Sequence, residues 1–224
     1  MTCPGDACED LPRAVWIVRH GDRLDFADPT WRHTATRPDD PSLAPTGIAQ
    51  SQALGRQLRR ERIAHLFSSP FLRTVETAHL VAAALDLRIK VEPGFSEWLS
   101  SAWFPQPPQL LSLDELAQRF PRIDRSYRPR GSAQYGESGE DALARAGATA
   151  RRLVDEFHGN LLIIGHGASV LGATAGLLDV DAAAIRPALG NVPYAGVVKL
   201  VRHHASWVIE LTSDAAHLAT RPSG

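Results

Sequence analysis

The chain has 224 residues, 44% of them hydrophobic and 22% charged, the composition expected of a globular protein rather than of a disordered or membrane chain. Lys and Arg total 24 against 25 Asp and Glu, so there is no general positive field to hold nucleic acid or an anionic membrane surface, and an anion must be gripped locally. The longest apolar stretches, such as 14–18 and 161–164, fall far short of the ~20 residues that cross a bilayer, and residues 1–12 lack the apolar core of a secretory signal, so no membrane and a cytoplasmic setting are expected.

Residues 1–13 read as a loose segment carrying the two cysteines, Cys3 and Cys8, taken as incidental thiols. The spacing from Cys8 to Arg13 is one residue too short for the phosphate-cradling loop of a cysteine phosphatase. From there, short apolar runs alternate with longer amphipathic ones. This predicts strands at 14–18, 64–67, 87–91, 161–164, 196–201 and 207–211, and helices at 46–60, 72–85 and 138–157. Leu54 and Leu58 share one face of the first helix, with Arg56, Arg59 and Arg60 mostly on the other. Ser138 ahead of Glu140 and Asp141 reads as a helix cap. Residues 24–45 and 93–108 read as long loops carrying Trp31, Trp98, Trp103 and Phe104. The expectation is an α/β fold with one domain over 14–211 and a loose tail over 212–224.

Three segments bring reactive groups to predicted strand ends. Arg19-His20-Gly21-Asp22-Arg23 follows the first strand, at the edge where open α/β sheets bind ligands. Arg19 and Arg23 look like an anion clamp, because a guanidinium stays charged and offers a planar fork of donors suited to phosphate oxygens. Gly165-His166-Gly167 follows another strand, and Ser68-Ser69-Pro70-Phe71-Leu72-Arg73 a third, placing Arg73 in the first turn of a helix. One histidine after a strand is ordinarily a structural residue. Several cations gathered at strand ends cost several kcal/mol in repulsion and desolvation unless an anion joins them, which points to an anion site. His33, His65, His79, His203 and His204 show no metal-ligand spacing.

On these residues the chain resembles the histidine phosphatase superfamily, with the phosphoglycerate-mutase-like fold. The resemblance rests on Arg19-His20-Gly21, on Gly47-x-x-Gln50 with Leu54-Gly55, and on Ser68-Ser69-Pro70-x-x-Arg73-x-x-x-Thr77-Ala78. Gly136-Glu137-Ser138 and Gly165-His166-Gly167 complete the ordered series. It implies a three-layer α/β/α sandwich around a mostly parallel sheet. It further implies His20 as nucleophile, with Arg19, Arg23, Arg73 and His166 holding the phosphoryl oxygens, and neither metal nor cofactor. For the general acid it implies Glu97, in Glu92-Pro93-Gly94-Phe95-Ser96-Glu97-Trp98, with Glu92 structural. Asp22-Arg23-Leu24-Asp25 departs from the usual continuation in mutases, and the chain is similar to the branch containing suppressors of T-cell receptor signalling and ecdysteroid-phosphate phosphatase.

The implied activity is hydrolysis of phosphomonoesters through a phosphohistidine. If Trp31, Trp98, Trp103 and Phe104 line the pocket mouth, they favour aryl or apolar esters or phosphotyrosine, in a small molecule or a phosphoprotein; if they pack the loops down, they say nothing about substrate. The alternatives left open are a mutase-type phosphoryl transferase and a phosphate-binding module without turnover. A homodimer through an exposed strand edge is compatible with the sequence.

Overall fold

The computed structural model describes residues 14–218, so the segment 1–13 with both cysteines and the last six residues of the expected tail lie outside the described residues. The elements in chain order are β1 (Ala14–Arg19), α1 (Leu24–Ala27), α2 (Trp31–Thr34), α3 (Pro45–Leu58), β2 (Ile63–Ser68), α4 (Leu72–Leu85) and β3 (Ile89–Val91). There follow α5 (Leu113–Arg119), α6 (Gly139–Glu156), β4 (Asn160–Gly165), α7 (Gly167–Leu178), α8 (Ala182–Leu189), β5 (Val197–His203) and β6 (Ser206–Asp214). The strands form one six-stranded sheet in the order β3-β2-β4-β1-β5-β6. β3, β2, β4 and β1 run parallel, whereas β5 and β6 pair antiparallel.

β1 and β4 are apolar at nearly every position because both faces of the sheet are covered. Val15, Ile17, Leu161 and Ile163 face Leu153 of α6 and Val170, Ala173 and Leu177 of α7. Trp16, Val18, Leu162 and Ile164 face Leu54 and Leu58 of α3 and Val75 and Val81 of α4. Each such aliphatic side chain contributes roughly 1.5–3 kcal/mol on burial, and together they make the three-layer α/β/α sandwich. β1 and β4 are neighbours, yet the chain leaves β1 toward α3 on one face and β4 toward α7 on the other. The crevice between their carboxyl ends is therefore a topological switch point.

Several boundaries differ from expectation. β6 continues to Asp214 and is followed by a 3₁₀ turn, Ala216–Leu218, so residues 212–218 are ordered structure where a loose tail was expected. The loop 24–45 contains the single-turn helices α1 and α2. α5, α7 and α8 were not anticipated; α7 is apolar on all sides and buried, so it lacks the two-faced pattern by which α3 and α6 are read. At α6, the Ser138 hydroxyl accepts from the Asp141 N–H and the Asp141 carboxylate accepts from that of Ser138, a reciprocal cap. Among the described residues, no single helix is long and apolar enough to cross a membrane.

Candidate active site

The expected residues Arg19, His20, Arg23, Arg73, Glu97 and His166 all gather at the carboxyl ends of β1, β2 and β4. The tip of β1 is stitched in place by the His20 N–H on the Gly165 carbonyl at 3.0 Å, and that of β2 by the Ser69 N–H on the Ile164 carbonyl at 3.0 Å. The turn after His20 packs directly on α3. A Cβ at Gly47 would lie 2.2 Å from the Asp22 carbonyl oxygen, and one at Gly21 would lie 2.6 Å from that of Gly47, so both positions require glycine. Gln50 accepts from the Asp22 N–H at 2.9 Å, and Thr77 of α4 accepts from that of Gly21 at 3.1 Å. The Gly47, Gln50 and Thr77 of the sequence series thus hold the turn after His20.

His20 is 2% exposed. Its Nδ1 lies 2.7 Å from the Gly21 carbonyl oxygen, which can only accept, so Nδ1 carries the proton and Nε2 the free electron pair. Burial, then the charge of Arg73, pulls the imidazole pKa well below its usual value, so the ring is neutral at neutral pH. His166, fully buried, is pulled down by the same two causes. Its Nδ1 faces Nη2 of Arg73 at 3.2 Å and Oε2 of Glu97 at 3.4 Å, while Nε2 bonds the Ser69 hydroxyl at 2.8 Å. The two imidazoles meet edge to face, 5.2 Å between centroids.

Arg73 sits at the centre. Its Nε donates to Nε2 of His20 at 3.3 Å and its Nη2 lies 3.5 Å from Oε2 of Glu97. Burial pulls its pKa down to about 10, with Glu97 opposing, and it remains a cation at neutral pH. Nη1 of Arg73 and Nε of Arg19 are buried donors with no hydrogen-bond partner among the described residues. An unsatisfied buried donor costs about 1–3 kcal/mol, more for a charged group, unless a ligand accepts from it. Arg19 Nη1 donates to the Val192 carbonyl at 2.8 Å, and its guanidinium lies 4.2 Å from the ring centre of Tyr194. Arg23 is held by a two-pronged ion pair to Asp25, at 2.9 and 2.6 Å.

Glu97 and Glu92 part company in their surroundings. Glu92 is fully buried and accepts from the N–H groups of Gly94, Arg130 and Gly131 and from the Tyr127 hydroxyl. Its carboxylate is saturated as a structural acceptor. Glu97 faces a cavity of about 190 Å³ lined by Arg23, Arg32, Asp39, Arg73, Trp103 and Phe104. Of the four loop aromatics, Trp103 and Phe104 line this cavity. Trp31 and Trp98 instead spend their indole N–H groups on the Pro38 and Glu137 carbonyls and anchor the loops.

Sequence reading missed Arg145 and Tyr194. Arg145 of α6 donates to the carbonyls of Gly94 at 2.9 Å, Ser96 at 3.2 Å and Glu97 at 3.2 Å, and is paired with Glu137, which also accepts from the Leu99 N–H. The pair fixes the backbone of the Glu97 loop. Its one visible signal was Glu137 in the Gly136-Glu137-Ser138 segment. Among the described residues, no group of three or more His, Cys, Asp or Glu side chains is arranged to hold a metal ion.

The chain is similar to several known proteins. Ubiquitin-associated and SH3 domain-containing protein A of Homo sapiens is 31% identical over 207 residues, covering 75% of this chain and 31% of the relative. Ecdysteroid-phosphate phosphatase of Drosophila melanogaster is 25% identical over 243 residues, covering 90% of this chain and 32% of the relative. The chain thus spans about a third of the length of these two curated relatives. The solved ecdysone phosphate phosphatase of Bombyx mori, in complex with tungstate, shares the fold at a TM-score of 0.75 and 24% identity, covering 90% of this chain and 93% of that one. Residues 15–215 match the model of the histidine phosphatase superfamily (branch 1), and the chain belongs to that family.

Proposed function

We propose that the chain hydrolyses phosphomonoesters through a phosphohistidine formed on Nε2 of His20. The observation that carries the reading is the His20 tautomer: Nδ1–H is held by the Gly21 carbonyl at 2.7 Å, so the electron pair is left on Nε2, which lies 3.3 Å from Nε of Arg73. The nitrogen pair forms the P–N bond as the bond from phosphorus to the ester oxygen breaks. Glu97, protonated, gives its proton to the departing oxygen, without which an alkoxide leaves poorly. Gly21 meanwhile stabilises the positive charge that grows on the ring.

In the second step the Glu97 carboxylate takes a proton from water, the water oxygen attacks phosphorus, and the P–N pair returns to His20. Inorganic phosphate leaves and Glu97 is protonated again. Arg19, Arg23 and Arg73 stabilise the charge on the equatorial oxygens in both steps, and positioning with electrostatics supplies most of the rate. The unpartnered donors on Arg19 and Arg73 suit this task. Ser69 can donate to as well as accept from Nε2 of His166, which lets that ring present Nδ1–H to a phosphoryl oxygen.

For the substrate, Trp103 and Phe104 beside Glu97 offer an apolar wall to the leaving group, which favours an aryl or otherwise apolar ester, phosphotyrosine included. The relative named ecdysteroid-phosphate phosphatase, whose name gives a steroid phosphate as its substrate, accords with this. The test is chelator-treated protein with para-nitrophenyl phosphate, followed for nitrophenol and for acid-labile phosphate on the enzyme. Both are expected from the wild type and from neither His20→Ala nor boiled protein. Wild-type turnover in His20→Ala would overturn the mechanism.

A further inference from the structure

Residues 40–44 form a strap between the two arginine-bearing elements, fastened to both. Toward α4, Oδ1 of Asp40 accepts from the Leu72 N–H at 2.7 Å, while Oε2 of Glu76 accepts from the Leu43 N–H at 2.6 Å. The bonds run in opposite directions, strap carboxylate to helix backbone and helix carboxylate to strap backbone, one turn of α4 apart. Toward the turn after His20, the Leu24 N–H donates to the Ser42 carbonyl at 3.0 Å and the Ala44 N–H to the Asp22 carbonyl at 2.9 Å, and Arg23 pairs with Leu43 as an isolated antiparallel bridge. Residues 22–24 reach α4 through this strap. Arg23 stands at one end of it, and at the other Arg73 stands between Leu72 and Glu76.

Asp40 is 1% exposed, its Oδ2 has no partner among the described residues, and Glu76 is half-buried. Burial raises both carboxyl pKa values, Asp40 to about 6, so their ionised forms are held at a cost that two neutral side chains would avoid. Groups kept against their own solvation fit a role in geometry better than one in stability.

We propose that Asp40 and Glu76 are positioning residues that set the spacing of Arg23 and Arg73 and, through it, the affinity of the site for a tetrahedral oxyanion. The inference rests on the proposed reading of these arginines as the phosphoryl site. It is tested by calorimetric titration of tungstate into the wild type, Asp40→Ala, Asp40→Asn, Glu76→Ala, Glu76→Gln, Arg23→Gln and the double variant Arg23→Gln/Glu76→Ala, each melted thermally as well.

Loss of one bond to a carboxylate is expected to weaken tungstate binding about tenfold in each alanine variant, and the amide variants, which keep an acceptor, stay within about threefold of wild type. In the Arg23→Gln background the Glu76→Ala loss is expected to shrink below about twofold, a coupling that general destabilisation would not produce. Alanine variants that melt cooperatively and bind tungstate like the wild type would overturn the proposal, as would equal losses in both backgrounds. Should Asp40→Ala fail to fold, the Glu76 variants decide alone. Turnover of para-nitrophenyl phosphate, measured alongside, judges the hydrolytic reading separately: its absence with strap-dependent tungstate binding removes that reading and supports this one.

Discussion

Nε of Arg73 lies 3.3 Å from Nε2 of His20, so the guanidinium that lines the anion space also touches the nitrogen assigned to attack. The same side chain reaches Nδ1 of His166 and Oε2 of Glu97 within 3.5 Å. On the proposed mechanism, one cation therefore affects both the ionisation of His20 and the approach of the phosphoryl group.

Arg73→Gln separates the two effects. Losing the central cation is expected to lower kcat/KM by about 10²–10³, the range for removing one donor aimed at developing charge. In the wild type the acid limb due to His20 lies below pH 6.5, because burial and then Arg73 depress its pKa. Without the cation the protonated ring is less disfavoured, so that limb moves upward toward 6.5, though burial keeps it from arriving. A pH profile of kcat/KM from 4.5 to 8 reads it; a limb that stays put or moves down contradicts the assignment.

Glu97→Gln is expected to act on chemistry and Glu92→Gln on folding. With Glu97→Gln, an ester with a poor leaving group loses about 10²–10⁴ in kcat/KM. Para-nitrophenyl phosphate still phosphorylates His20, and the intermediate accumulates for want of a base. Quench-flow would show a burst of nitrophenol near one equivalent. Glu92→Gln places an amide N–H₂ among four donors, losing acceptors that are fully buried, and is expected to cost about 3 kcal/mol or more. Its melting temperature falls, while the folded fraction forms phosphohistidine. The reverse pattern would exchange the two glutamates.

Arg145→Ala removes one partner of an ion pair whose side chains are 9% and 6% exposed, leaving Glu137 buried and three carbonyls of residues 94–97 unbonded. Breaking such a pair costs about 3–5 kcal/mol, a fall in melting temperature of roughly 6–20 °C for a chain of this size. Because the freed loop carries Glu97, kcat is expected to drop with little change in tungstate affinity. Differential scanning calorimetry with steady-state kinetics tests both halves; unchanged kcat in the folded variant would show that Arg145 is merely structural.

Much of this was legible in the sequence, for identifiable reasons. β1 and β4 show as unbroken apolar runs because helices cover both faces, and the residues after them, His20 and His166, are then placed at one sheet edge by connectivity alone. α7 was invisible for the opposite reason: surrounded by the sheet and α6, it has no polar face to set a period. β6 outran its expected end at Leu211 because the polar Thr212, Ser213 and Asp214 read as tail when the pairing of Asp214 with Val197 of β5 is unknown. Arg145 and Tyr194 arrive from distant segments and meet the site through backbone carbonyls or an arginine face, contacts that leave no motif. Asp40, in a loop rich in proline and aspartate, looked like any other turn residue.

Asp40 gives the clearest dependence of stability on pH. Burial raises its pKa from the ordinary 3.8 to about 6, so between those values the folded protein binds a proton that the unfolded chain releases. Its contribution is most favourable below pH 3.8 and is lost as pH rises through about 6, by roughly 3 kcal/mol for a shift of about two units. Asp40→Asn removes the titration while its amide oxygen can still accept from the Leu72 N–H. Relative to the wild type, the variant is therefore expected to gain stability from pH 4.5 to a little above 6 and to level off by pH 7.5, measured as the difference in urea unfolding free energy. The buried histidines bias both proteins alike, losing stability as pH falls below about 6.5, and cancel in that difference. A difference that is flat with pH would mean that Asp40 ionises as freely in the fold as in water.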